Sequence, residues 1–208
     1  MTRMQDEVIT GIANLIESRD GSTGLHVKNT QNYVQILTKA LREKGMYPDI
    51  LDHNYELNTV KASVLHDIGK IKTPDAILLK PGRLTDEEFE VMKQHTVAGC
   101  EIIDRIIGNV EHEEYVDIAR KIARYHHERW DGTGYPDGLS GEEIPLCARI
   151  MALADVFDAL YQDRCYKKAI RPASKVFEII KENSGSQFDP NLTEIFLELQ
   201  REITDISE

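Results

Sequence analysis

Thr85-Asp86-Glu87-Glu88-Phe89-Glu90-Val91-Met92 opens a long helix, and its reading decides the fold class. Thr85 stands at the N-cap with Glu88 three residues on, a capping box in which each side chain accepts from a backbone N–H of the first turn. Phe89, Met92, Cys100, Ile103 and Ile107 then carry the helix forward. Outward from there the period stays helical. Val8, Ile9, Ile12, Leu15 and Ile16 recur at three- and four-residue steps, as a buried helix face requires. A second helix is predicted over residues 23–44, with Val27, Tyr33, Val34, Ile36, Leu37 and Leu41 on its buried side and Gly45 and Pro48 as its stop. A third is predicted over residues 57–67, ahead of Gly69. Residues 115–126 and 146–160 read as helices, and two more are opened by Pro172 and Pro190, where proline suits a first helical turn. No stretch alternates as a strand does, and there is no repeat or low-complexity segment. The fold class is all-α, a single helical bundle.

One segment breaks the pattern. Residues 128–145 contain Gly132, Gly134, Gly138 and Gly141 together with Pro136 and Pro145, and no helical period survives there. A loop of that length inside a compact domain tends to carry function.

The 208 residues, 41% hydrophobic and 29% charged, describe one soluble globular domain with a sizeable core. The longest uninterrupted apolar stretches are about five or six residues, far short of the roughly 20 that span a bilayer. The polar, amphipathic start is not a secretory leader. Cys100, Cys147 and Cys165 are an odd set without close pairing, which argues against a disulfide framework and for a reducing cytoplasm. With 25 basic against 36 acidic residues the net charge is −11. That is a poor surface for a DNA or RNA polymer, whose backbone is bound through basic patches. A small phosphorylated ligand stays open, provided metal ions or a few clustered Lys and Arg supply the positive charge.

Five of the seven histidines stand in suggestive places. His66-Asp67 and His126-His127 close two predicted helices, His95 lies mid-helix, and His26 lies early in the second. Lys70 follows His66 by four residues. Asp155 interrupts the apolar run Ile150-Met151-Ala152-Leu153-Ala154 and must face water or find a partner, since a lone buried carboxylate is costly. Any one of these histidines is more often an ordinary core or surface residue than a ligand; their joint occurrence beside a Gly-rich loop is the signal. Imidazoles and carboxylates without thiolate make a mixed N/O site for a first-row transition metal rather than a Cys-rich zinc site.

These residues carry a resemblance to the HD-GYP domain, a branch of the HD phosphohydrolase superfamily associated with cyclic di-GMP hydrolysis. The matching stretches are His66-Asp67-Ile68-Gly69-Lys70, His126-His127-Glu128-Arg129-Trp130-Asp131-Gly132-Thr133-Gly134-Tyr135-Pro136, Ala154-Asp155-Val156-Phe157-Asp158 and Asp163-Arg164-Cys165-Tyr166-Lys167. The resemblance implies a lead-in helix at 1–16, an HD-GYP domain at 17–200 and a polar tail at 201–208. It implies two divalent transition-metal ions, Fe or Mn foremost, with Ni, Co and Zn also compatible. Asp67 is implied to bridge them and to take part in catalysis. His66 and Asp155 go to one ion, His95, His126 and His127 to the other, and His26 contributes to the cluster or lines its cavity. Lys70 is implied to act catalytically beside the scissile phosphate, and Tyr135, Arg164 and Lys167 to contact substrate. Blander roles stay open for the last three, as a loop anchor and a solvated helix end.

The implied activity is a phosphodiesterase opening cyclic di-GMP to pGpG, with GMP as a further product. The alternatives are another cyclic dinucleotide, a nucleotide monophosphate, or a binding module with little turnover. Implied partners are a sensor or receiver domain and diguanylate cyclases, with a homodimer also allowed. Two departures stand out. Ser22 replaces a Glu that goes with a third metal in some relatives, and Asn29 replaces an Arg that offers a phosphate contact.

Overall fold

The computed structural model describes residues 3–20, 25–108, 112–162 and 169–206. Its α-helices are α1 (Arg3–Glu17), α2 (His26–Glu43), α3 (His53–Ala62), α4 (Asp75–Leu78), α5 (Asp86–Ile107), α6 (Glu113–Tyr125), α7 (Leu146–Tyr161), α8 (Ala173–Glu182), α9 (Pro190–Glu198) and α10 (Gln200–Asp205). Among the described residues no strand forms; one isolated bridge joins Ser184 and Phe188. The all-α expectation holds.

Helix α7 is the axis. Its sequence is apolar on every side and it is buried nearly throughout, the pattern of a helix enclosed by others. Helices α2, α6, α8 and α9 pack around it. Tyr33 and Leu37 of α2, Ile122 of α6, Phe157 of α7 and Phe196 of α9 are completely or almost completely removed from solvent. The capping box at Thr85 forms as read, with Thr85 N donating to Glu88 Oε2 at 2.7 Å and Glu88 N to Thr85 Oγ1 at 3.3 Å.

Three expectations need correction. In α1, Val8 and Leu15 are exposed (57% and 69%), because the stripe that meets the core is Ile9, Ile12, Ala13 and Ile16. The third helix ends at Ala62 rather than running to residue 67; short 3-10 turns, Ser63–Leu65 and Ile68–Lys72, follow it. The segment read as a polar tail carries α10, whose Ile203 is buried.

The early end of α3 sets up the centre of the molecule. The Ile68–Lys72 turn lies directly against α5. At Gly69 a Cβ would run into the His95 carbonyl oxygen and come within 2.5 Å of Gly99 N, so only glycine permits this approach. The contact places Asp67 and Lys70 opposite His95. No helix among the described residues is long and apolar enough to cross a membrane.

Candidate metal centre

Seven histidines and carboxylates from five segments meet where α2, the turns after α3, α5, the end of α6 and α7 converge. His66, His95 and His126 are almost fully buried, and each ring is held by a backbone carbonyl of the preceding turn. Nδ1 of His66 lies 2.8 Å from Ser63 O, that of His95 2.7 Å from Met92 O, and that of His126 2.9 Å from Ile122 O. A carbonyl only accepts, so each Nδ1 carries the proton and each Nε2 presents a lone pair. Those three Nε2 atoms, together with His26 Nε2 and Asp67 Oδ1, are buried without a hydrogen-bond partner. Buried acceptors left unmatched are costly and rare. The acceptors among them, on His66, Asp67, His95 and His126, call for an electrophile, and a metal ion fits them.

Distances agree. Two donors that are each about 2.1 Å from one cation stand ~3–3.5 Å apart. Asp67 Oδ2 is 3.4 Å from His66 Nε2, and Asp67 Oδ1 is 3.4 Å from His95 Nε2 and 3.8 Å from His126 Nε2. The two oxygens of one carboxylate thus face different histidines. Two groups able to hold an ion result: Asp67, His95, His126 and His127, and His26, His66 and Asp67. Asp155 Oδ1 adjoins the second, 3.3 Å from His26 Nε2 and 4.0 Å from His66 Nε2.

The electrostatics divide the histidines. Burial by itself would lower the His26 pKa, but hydrogen bonds and charge from Asp155 and Asp158 overcome it and raise the value to about 10. Burial pushes His95 down to about 4, against the pull of Asp67. Burial, then the neighbouring His126 and His95, also holds His127 low. Burial opposes ionisation of Asp67 and Asp155, yet Lys70 and His66 keep the first, and His26 the second, well below the usual carboxylate range.

Lys70 Nζ lies 2.6 Å from Asp67 Oδ2. It reaches the centre through the 3-10 turn, three residues from Asp67, and not by the helical i to i+4 step from His66 that a continuous α3 would give. Tyr135 stacks on His127 with ring centroids 4.8 Å apart, and its backbone N–H donates to His127 O at 3.2 Å. Arg164, Lys167 and Ser22 lie outside the described residues.

Three residues at this site escaped the sequence reading. Asp158, one turn beyond Asp155 and 1% exposed, accepts from His26 Nδ1 at 2.6 Å. Asn29 Nδ2 at 3.1 Å and Tyr33 OH at 3.4 Å also donate to it. A carboxylate behind a ligand histidine fixes its ring and raises its basicity. The Asn that replaces an expected Arg is therefore a buried support for Asp158. Its one sequence signal was an acid in the apolar face of α7. Glu17 is buried, and its Oε2 accepts from Val27 N in the first turn of α2, steadying the helix that carries His26. Glu128, also buried, accepts from the backbone N–H groups of Asp137, Gly138 and Leu139 at 2.7, 3.1 and 3.1 Å and ties the Gly-rich loop into one shape. Gly134 serves the loop's own closure: a Cβ there would fall 2.5 Å from Glu128 Cα.

The HD domain family matches residues 12–192. A cyclic di-GMP phosphodiesterase of Vibrio cholerae is 45% identical over 206 residues, covering 98% of this chain and 41% of the relative. A cyclic di-GMP phosphodiesterase of Thermotoga maritima is 42% identical over 200 residues, covering 96% of this chain and 50% of the relative. The crystal structure of a cyclic GMP-AMP specific phosphodiesterase of Vibrio cholerae superposes with a TM-score of 0.63 at 20% identity, over 96% of this chain and 52% of that one, which is a likeness of fold. The chain spans about half the length of the curated relatives it matches. HD domains use divalent metal, and the buried His/Asp cluster is able to bind it. By sequence the chain belongs to the HD domain family.

Proposed function

We propose that this chain is the catalytic unit of a metal-dependent phosphodiesterase that opens cyclic di-GMP to linear pGpG. The observation that carries the reading is the set of five buried, unmatched donor atoms converging between His26, His66, Asp67, His95 and His126. The substrate comes from the relatives' names, joined to a site built for phosphoryl chemistry. Two divalent ions, Fe or Mn foremost, are held on Asp67 as the shared carboxylate. His26, His66 and Asp155 serve one ion, and His95, His126 and His127 the other. When bound, such a pair lowers the pKa of water and stabilises charge in an in-line displacement at phosphorus.

The remaining work belongs to the chain's own residues. Lys70 sits beside Asp67 with its ammonium turned to the centre and neutralises charge on a non-bridging or leaving oxygen. Tyr135, packed on His127, walls the site on the side of the Gly-rich loop. Arg164 and Lys167 engage phosphate, the first bidentately and the second as a point charge. Metals and these cations resolve how a chain of net charge −11 takes up a dianion. The unit works in a reducing cytoplasm, coupled to a sensor or receiver domain.

The test is the full chain, purified anaerobically and supplied with Mn(II) or Fe(II). Elemental analysis should give about two ions per chain, and chromatography should show pGpG formed from cyclic di-GMP ahead of any GMP. Metal at full occupancy without turnover would refute the enzyme and leave a nucleotide-binding module.

A further inference from the structure

Beyond the histidines the centre opens into a cavity of about 280 Å³. On the metal side its wall is Lys70, His95, His127 and Tyr135; on the far side it is Ile77, Leu78, Leu84 and Met92, with Lys80 also lining it. The far wall comes from the α4 region and the first turns of α5, whose side chains none of the roles above uses. Leu78 is buried and Ile77, Leu84 and Met92 are half-buried. Small-molecule sites usually measure roughly 300–1,000 Å³, so this cavity suits one base of a dinucleotide and not both.

Its chemistry selects for a base over the other parts of a nucleotide. A phosphate or a ribose pressed against Ile77, Leu78, Leu84 and Met92 would leave oxygens without partners, at a cost no contact there offsets. A flat aromatic ring loses nothing on those walls, and the methionine thioether packs well on such rings. Lys80 supplies the polar element. Its Nζ lies 2.5 Å from Glu88 Oε2, which ties the side chain down at the start of α5. An ammonium has three donors and no acceptor, so donors remain beyond the one given to Glu88. Guanine presents two acceptors, O6 and N7, on one edge; adenine presents N7 beside a donating amino group.

We propose that this cavity seats one purine of the cyclic dinucleotide and that Lys80 selects guanine over adenine by donating to its O6/N7 edge. The inference rests on the phosphodiesterase reading above and adds to it where the base lies and which residue reads it.

The experiment uses the metal-loaded full chain and its Leu84→Trp and Lys80→Met variants, with cyclic di-GMP and cyclic di-AMP compared in steady-state kinetics and elemental analysis alongside. Leu84→Trp fills the cavity and should raise KM for cyclic di-GMP about ten-fold or more, with kcat nearly kept and the metal content unchanged. Lys80→Met keeps length and packing; it should cut the preference for cyclic di-GMP over cyclic di-AMP by about ten-fold or more, the scale of one lost base-reading contact. Unchanged KM in the first variant or unchanged preference in the second, in a protein that cleaves cyclic di-GMP, overturns the base seat and leaves the activity standing. A wild-type chain that cleaves neither dinucleotide overturns the activity itself and the base seat with it.

Discussion

Acidifying the solution should weaken the first ion's hold through His26. Its ring lies between two carboxylates, with Nδ1 2.6 Å from Asp158 and Nε2 3.3 Å from Asp155, and its pKa stands at about 10 in the metal-free protein. At pH 7 it is therefore protonated on both nitrogens, and an ion bound at Nε2 must displace a proton. Three pH units below that pKa the displacement costs about 4 kcal/mol, roughly a thousand-fold in affinity. His95, with its pKa near 4, and His127, held low, are already neutral and have nothing to release. The affinity of the His26 site should thus rise about ten-fold per pH unit between roughly pH 7 and 9, a slope to which His95 and His127 add nothing. Calorimetric titration with Mn(II) in buffers of different ionisation enthalpy counts the released protons, and a chelator competition gives the slope. About one proton per chain should appear at pH 7, and His26→Gln should abolish it. No proton release from the wild type, or the same release from His26→Gln, refutes the argument. The metal-free protein supplies the converse. A folded pKa raised above the unfolded 6.5 adds stability that is complete below 6.5 and is lost as pH climbs through about 10. The Tm of chelated protein should fall over that window, and more than that of the metal-loaded form.

Asp67→Asn should abolish turnover and reduce bound metal, because an amide lacks the charge to join two cations; His53→Gln, at an exposed position apart from the cluster, should stay within a few-fold of wild type in the same assay. Lys70→Ala should keep its metal and lower kcat, since its ammonium faces the centre without being a ligand; loss of metal on elemental analysis would make it structural. Asp158→Asn should weaken metal affinity roughly 10–100-fold, the usual effect of removing a carboxylate behind a ligand histidine, with the far-UV circular dichroism unchanged. Gly69→Ala should destabilise the fold by about 1–3 kcal/mol in denaturant titration, as the turn is forced away from the His95 carbonyl; wild-type stability would mean the two segments separate freely.

What the chain determines by itself is what depends on neighbours in sequence. The capping box at Thr85 is a contact across three residues, and it forms as read. Helical period places α2, α5, α6 and α7 close to their observed bounds, because each face repeats within a few residues, and Pro172 and Pro190 mark where α8 and α9 open. The candidate ligands were legible as a set and not singly: an acid inside an apolar helix and adjacent histidines at helix ends stood out together, and Asp155 and His126 are both buried. Tertiary packing decided the rest. Val8 and Leu15 obey the helical period as well as Ile9 and Ile16 do; which of them is covered depends on where the neighbouring helices run, and no local rule contains that. Continuation of α3 to Asp67 was locally reasonable, yet the close approach at Gly69 to α5 replaces its last turn with 3-10 geometry and brings Lys70 to Asp67. Asp158 sits 132 positions from His26 along the chain, and its role exists only because α2 and α7 pack side by side. The lone pairs of His66, His95 and His126 point inward because backbone carbonyls take the Nδ1 protons, and that depends on ring orientations set by packing, which a residue name does not carry.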